Sequence, residues 1–171
     1  MSSRELAREI FNRHNGVSVT GRRIYLRELR HDDPPLTNEN GRSSYANICD
    51  TAEGNRARTR PFLNDNRTIV PDVFLTENLL RAILVINDEF NGPGILTINT
   101  IAGGNHTQNL NDEHYLGKAV DFSSENHIVR GTGQTPDCIL TRLAARGFIT
   151  QRHGYVGFHN FFHLEIHGRN F

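Results

Sequence analysis

Apolar positions along this chain switch between helical and strand spacing, and the switches mark its elements. In "RELAREIFNRH", Leu6, Ile10 and Phe11 recur at helical spacing, and "NGVSV" then turns the chain. In "RRIYLREL" (22–29), Ile24, Leu26 and Leu29 alternate imperfectly with arginines, which suits a short strand or a helix. Two polar stretches, 31–44 and 53–67, have the composition of loops, and their arginines predict a solvated face. Thr76 can cap a helix over "ENLLRAILVINDEF", where Leu79, Leu80, Ile83, Leu84 and Ile86 form a wide apolar stripe. Asn91-Gly92 and Pro93-Gly94 end it, and the β-branched run 95–101 predicts a buried strand. A long polar loop leads to a second strand in "GKAVDF". Thr135, Pro136, Asp137 and Gly147 punctuate a further helix. The tail predicts two strands around a turn. Phe162, Leu164 and Ile166 face a core there, while His163, Glu165 and His167 point the other way. This order predicts an α+β fold, an antiparallel sheet with helices packed on one side. Residues 1–70 are expected as an extension packed on a domain at 71–171.

The composition narrows the functional classes. Nineteen basic residues balance nineteen acidic ones in 171 residues, without the basic excess that holds nucleic-acid phosphates. No stretch approaches the roughly 20 apolar residues of a membrane span. The N-terminus carries charges every few residues and lacks the apolar run of a signal peptide, so a soluble chain is expected. Cys49 and Cys138 fit no metal spacing and are expected as unlinked thiols. Nine histidines are many for this length. Five of them, His106, His114, His153, His159 and His163, lie near one motif or in the final stretch, and histidine is the commonest metal ligand.

That motif is "NDEHYLGKAVDF", residues 111–122. A polar loop running into a strand accounts for part of it, with Val120 and Phe122 facing a core. The alternative is that His114 and Asp121 are two ligands of one metal. His163 then qualifies as the third, because its apolar neighbours fix the way it points. Two histidines and a carboxylate with one open position describe a catalytic zinc site. Gly117 would let the backbone turn between the two ligands, and Ala119 would share the strand face of Asp121 without crowding the metal.

"HYLGKAVD" resembles the His-x-x-Gly-x-Ala-x-Asp pattern of the D-Ala-D-Ala-type zinc metallopeptidases, a superfamily of peptidoglycan carboxypeptidases and endopeptidases that includes the Hedgehog signalling domain. "HLE" (163–165) is similar to the strand that closes the metal site in some members. The resemblance spans roughly residues 70–171. It implies a Hedgehog-like fold, Zn2+ bound by His114, Asp121 and His163, and hydrolysis of peptidoglycan stem or cross-link peptides. Asp112 stands where the family usually has a serine, and "NTIAGG" (99–104) lacks the family's substrate-holding arginine.

The proton acceptor has two candidates. Many relatives carry an acid three residues before the last histidine, where this chain has Asn160. His159 is the best substitute. Glu165 lies on the strand face of His163, about 7 Å along by the strand rise, and either acts as the base or orients His163. His167 is expected to be solvated or structural, and Glu113 a solvated neighbour. Two other readings share the fold: a zinc-stabilised binding module without catalysis, and a delivered effector or phage lysin that reaches the cell wall by export, injection or lysis.

Overall fold

A computed structural model describes residues 1–28, 42–60, 68–90, 95–103, 109–123, 136–156 and 161–170. Helix α1 (Ser3–Asn15) begins at a capping box, in which Ser2 and Glu5 satisfy each other's amides, and stops at Gly16 in a left-handed conformation. Strand β1 (Arg23–Leu26) settles the ambiguous arginine-rich stretch as a strand. Helix α2 (Ser44–Ala52), capped by Ser43, follows the polar stretch 31–44 and is an element the sequence reading does not predict. The expected helix α3 (Glu77–Phe90) starts where the Leu79 amide donates to Thr76 Oγ1 (3.2 Å). Then follow β2 (Ile95–Thr100), β3 (Ala119–Ser123), α4 (Pro136–Ala145), β4 (Phe148–Val156) and β5 (Phe161–Arg169). The proposed cap Thr135 lies outside the described residues.

The five strands form one sheet in the order β1-β2-β3-β5-β4. The pairs β2·β3, β3·β5 and β5·β4 are antiparallel, as expected, but β1 runs parallel to β2. The sheet is therefore mixed rather than purely antiparallel. The topology allows this: α2 and α3 lie between β1 and β2 in the chain and provide the long crossover that a parallel pair requires.

The apolar face of the sheet carries Ile24, Leu26, Leu96, Ile98, Val120, Phe122, Phe162, Leu164 and Ile166, all buried. These join Leu6 and Ile10 of α1, Ile48 of α2, Leu79, Leu80, Ile83 and Ile86 of α3, and Ile139 and Leu143 of α4 in one core. The first 70 residues thus supply an edge strand and part of this core. Two of their arginines are not on a solvated face: Arg60, in the polar stretch 53–67, is buried, and so is Arg13, which donates to Asn87 Oδ1 (2.8 Å) and Asp88 Oδ1 (2.7 Å) of α3. Neither Cys49 nor Cys138 is in a disulfide, as expected. Among the described residues no helix is long and apolar enough to cross a membrane.

Candidate metal centre

The apolar residues of β3 and β5 orient the site. With Val120 and Phe122 in the core, Asp121 projects from the opposite face; with Phe162, Leu164 and Ile166 in the core, so do His163, Glu165 and His167. Asp121 and His163 are register partners on adjacent antiparallel strands, so their side chains meet. His163 Nδ1 lies 2.8 Å from Asp121 Oδ1. Ala119 pairs with Glu165, and its methyl leaves room on that face for the longer side chains.

His114 reaches the same point from the turn before β3. The Asp112 carboxylate accepts from the His114 amide (2.9 Å), and turn bonds from Leu116 to Asp112 and from Lys118 to Glu113 wind the segment. Asp112 therefore shapes the turn that carries His114. Gly117 ends it with φ 74°, and a Cβ there would lie 2.4 Å from the Phe74 carbonyl oxygen. Only glycine fits this position. His114 Nε2 comes to 3.2 Å from Asp121 Oδ2, and the two imidazole centroids are 5.0 Å apart.

Hydrogen bonds fix the donor atoms. His114 Nδ1 is 2.5 Å from the carbonyl oxygen of Ile101, a contact that requires Nδ1 to carry a proton. In the neutral ring Nε2 then presents a lone pair toward the Asp121 carboxylate, an arrangement that a cation between them makes favourable. Asp121 Oδ2 accepts from Thr100 Oγ1 (3.1 Å). His163 Nε2, the nitrogen remote from Asp121, lies 2.8 Å from Glu165 Oε2. Burial alone would lower the His163 pKa, but the carboxylates of Asp121 and Glu165 outweigh it and push the pKa up to about 9. The site draws positive charge to itself.

One donor atom from each of His114, Asp121 and His163 lies within 4.8 Å of the other two. The two closest approaches use different oxygens of Asp121, 2.8 Å from His163 Nδ1 to Oδ1 and 3.2 Å from His114 Nε2 to Oδ2, so the carboxylate lies between the two imidazoles. His114 and Asp121 are 3% and 5% exposed, and both histidines have their second nitrogen held. This donor set suits Zn2+.

Glu165, the second candidate base, is buried and touches His163 rather than the gap between the three ligands. His159, the first, lies outside the described residues, as does His106; His153 belongs to β4, and its side chain is not described. Three residues enter that sequence reasoning left aside. Thr100 reaches Asp121 because the register between β2 and β3 shifts after Ile98, which re-aims the strand end. His167, expected as solvated or structural, is 3.0 Å from Glu165 Oε1, and Glu113, expected as solvated, lies with both in a second cluster of donors. The alternation in "HLEIH" could have placed His167 beside Glu165; nothing in the sequence singled out Thr100. Compared with models of protein families, with curated proteins and with solved structures, the chain has no significant match to any of them.

Proposed function

We propose that this protein is a zinc-dependent peptidase that hydrolyses stem or cross-link peptides of bacterial peptidoglycan. The observation that carries this reading is the convergence of His114, Asp121 and His163 on one point. The resemblance of "HYLGKAVD" and "HLE" to the D-Ala-D-Ala-type metallopeptidases, with their Hedgehog-like fold, supplies the substrate class. Zinc held by these three residues would acidify a water and polarise the scissile carbonyl. The chain's own groups do the rest. The Ile101 carbonyl and the Glu165 carboxylate each hold the far nitrogen of one ligand histidine, which fixes tautomer and ring plane. Thr100 steadies Asp121. This arrangement favours Glu165 as the residue that orients His163, and leaves His159 as the group that takes the proton. The protein reaches its substrate when exported, delivered or released by lysis.

Elemental analysis of the purified protein, alongside digestion of purified muropeptides with and without chelator, tests this. At least one tightly held zinc is expected. His114→Ala, Asp121→Ala and His163→Ala should each lose it, together with a chelator-sensitive hydrolysis. Full zinc retention in all three variants would end the metallopeptidase reading. Full zinc with no hydrolysis of any muropeptide would give the lead to a zinc-stabilised binding module.

A further inference from the structure

Beside the first cluster lies a second one, built from Glu113, Glu165 and His167, whose donor atoms also fall within 4.8 Å of one another. The same strand phasing generates it. His163, Glu165 and His167 follow one another at two-residue steps along one face of β5, while Glu113 and His114 are neighbours on the turn that covers that face. Glu165 is the hinge between the clusters. Its Oε2 faces His163 Nε2 at 2.8 Å and its Oε1 faces His167 Nε2 at 3.0 Å.

The charges in this second cluster do not balance. Two carboxylates face one imidazole, with side chains only 14% (Glu113), 6% (Glu165) and 21% (His167) exposed. The His163 imidazole on the far side answers only Glu165, so Glu113 is the carboxylate left short of charge: among the described residues the one cationic group within 4 Å of it is His167, at 3.9 Å, in a setting where water screens poorly. Among the described residues Glu113 Oε2 is buried without a hydrogen-bond partner, 3.9 Å from His167 Nε2, beyond hydrogen-bond reach. A shielded carboxylate oxygen with no donor is unfavourable unless a cation supplies the missing charge.

We infer that Glu113, Glu165 and His167 form a second binding site for a divalent transition cation, adjacent to the first and joined to it through the Glu165 carboxylate. Two oxygens and one nitrogen suit zinc or manganese. The site has fewer nitrogen donors than the first and shares one of its carboxylates, so it is the weaker of the two. The inference stands on this donor set and not on the hydrolytic reading.

Calorimetric titration of the full, chelator-stripped chain with Zn2+ alone tests it, with bound metal counted by elemental analysis. Wild type should take up two equivalents, the second more weakly. The near-isosteric Glu113→Gln and His167→Gln should each weaken the second equivalent at least tenfold and keep the first, while Asp121→Ala should do the reverse. A single equivalent at saturation in wild type that Asp121→Ala abolishes and Glu113→Gln keeps overturns the inference. So does a second equivalent that neither Glu113→Gln nor His167→Gln disturbs. The two readings fail separately: one equivalent lost in Asp121→Ala removes only the second site. One equivalent lost in Glu113→Gln but kept in Asp121→Ala removes only the first.

Discussion

The Asp121 carboxylate stands between two imidazoles, with one oxygen facing His163 and the other facing His114 and the Thr100 hydroxyl. With no metal bound, the cation this carboxylate attracts is a proton on His163, whose pKa rises from 6.5 to about 9. Folded protein then binds that proton more tightly than unfolded protein does. The resulting stabilisation is complete below pH 6.5 and lost as pH rises through about 9. Urea midpoints measured in chelator should therefore fall across this interval. Saturating zinc takes the place of the proton and should flatten the profile, and His163→Gln in chelator should flatten it as well. A pH-independent midpoint for the metal-free wild type would contradict this account of the site.

At the scale of elements, the site depends on how one turn delivers His114 to a strand. Gly117 closes that turn with positive φ, while its carbonyl accepts from the Thr76 amide at the start of α3. An alanine would have to hold a left-handed backbone and push its methyl into the Phe74 carbonyl. The strain should amount to about 2 kcal/mol or more, which for a chain of this size lowers Tm by roughly 4–8 °C. Thermal melts of Gly117→Ala check this, and zinc affinity should fall with it because His114 and Asp121 flank the turn. An unchanged Tm and affinity would show that the turn relaxes freely. Elements whose hydrophobic pattern matched their period were legible in sequence: α3 with its Thr76 cap, and β5 with Phe162, Leu164 and Ile166 inward. Helix α2 was not. Its apolar residues Tyr45, Ile48, Cys49 and Ala52 recur at helical spacing, but the helix is short and also buries Ser44, Asn47, Asp50 and Thr51, so polar positions that read as loop dilute the stripe. Asn47 is buried because it bonds backbone, accepting from the amides of Ala102 and Gly103 and donating to the Arg58 carbonyl.

At the scale of the molecule, residues 1–70 and 71–171 share one core. Leu6, Ala7, Ile10, Ile24, Leu26, Ile48 and Ala57 pack in the same cluster as α3 and the sheet, and Arg13 ties α1 to Asn87 and Asp88. Removing them would strip β2 of its parallel partner and expose Leu96 and Ile98. Each fully buried side chain of this kind contributes about 1.5–3 kcal/mol, and domains have only about 5–15 kcal/mol of net stability. A fragment of residues 71–171 should therefore be insoluble or melt without cooperativity, as solubility and circular dichroism would report. A fragment that melts cooperatively and holds zinc would mark the first 70 residues as a separable arm.

The sequence by itself determined most of the elements and which face of β3 and β5 each side chain takes, because a strand's period of two ties every polar position to the apolar ones beside it. That period picked out His163, while the spacing in "NDEHYLGKAVDF" and its resemblance to a metallopeptidase pattern supplied His114 and Asp121 as candidate ligands. Only the tertiary structure decided matters that depend on strand neighbours distant in the chain. These are the parallel pairing of β1 with β2, the register that sets Asp121 opposite His163, and the shift that brings Thr100 to Asp121. The same holds for the two roles of Glu165 and for Glu113 and His167 beside it. Local periodicity says which way a side chain points. Partners are chosen by the packing of the whole sheet.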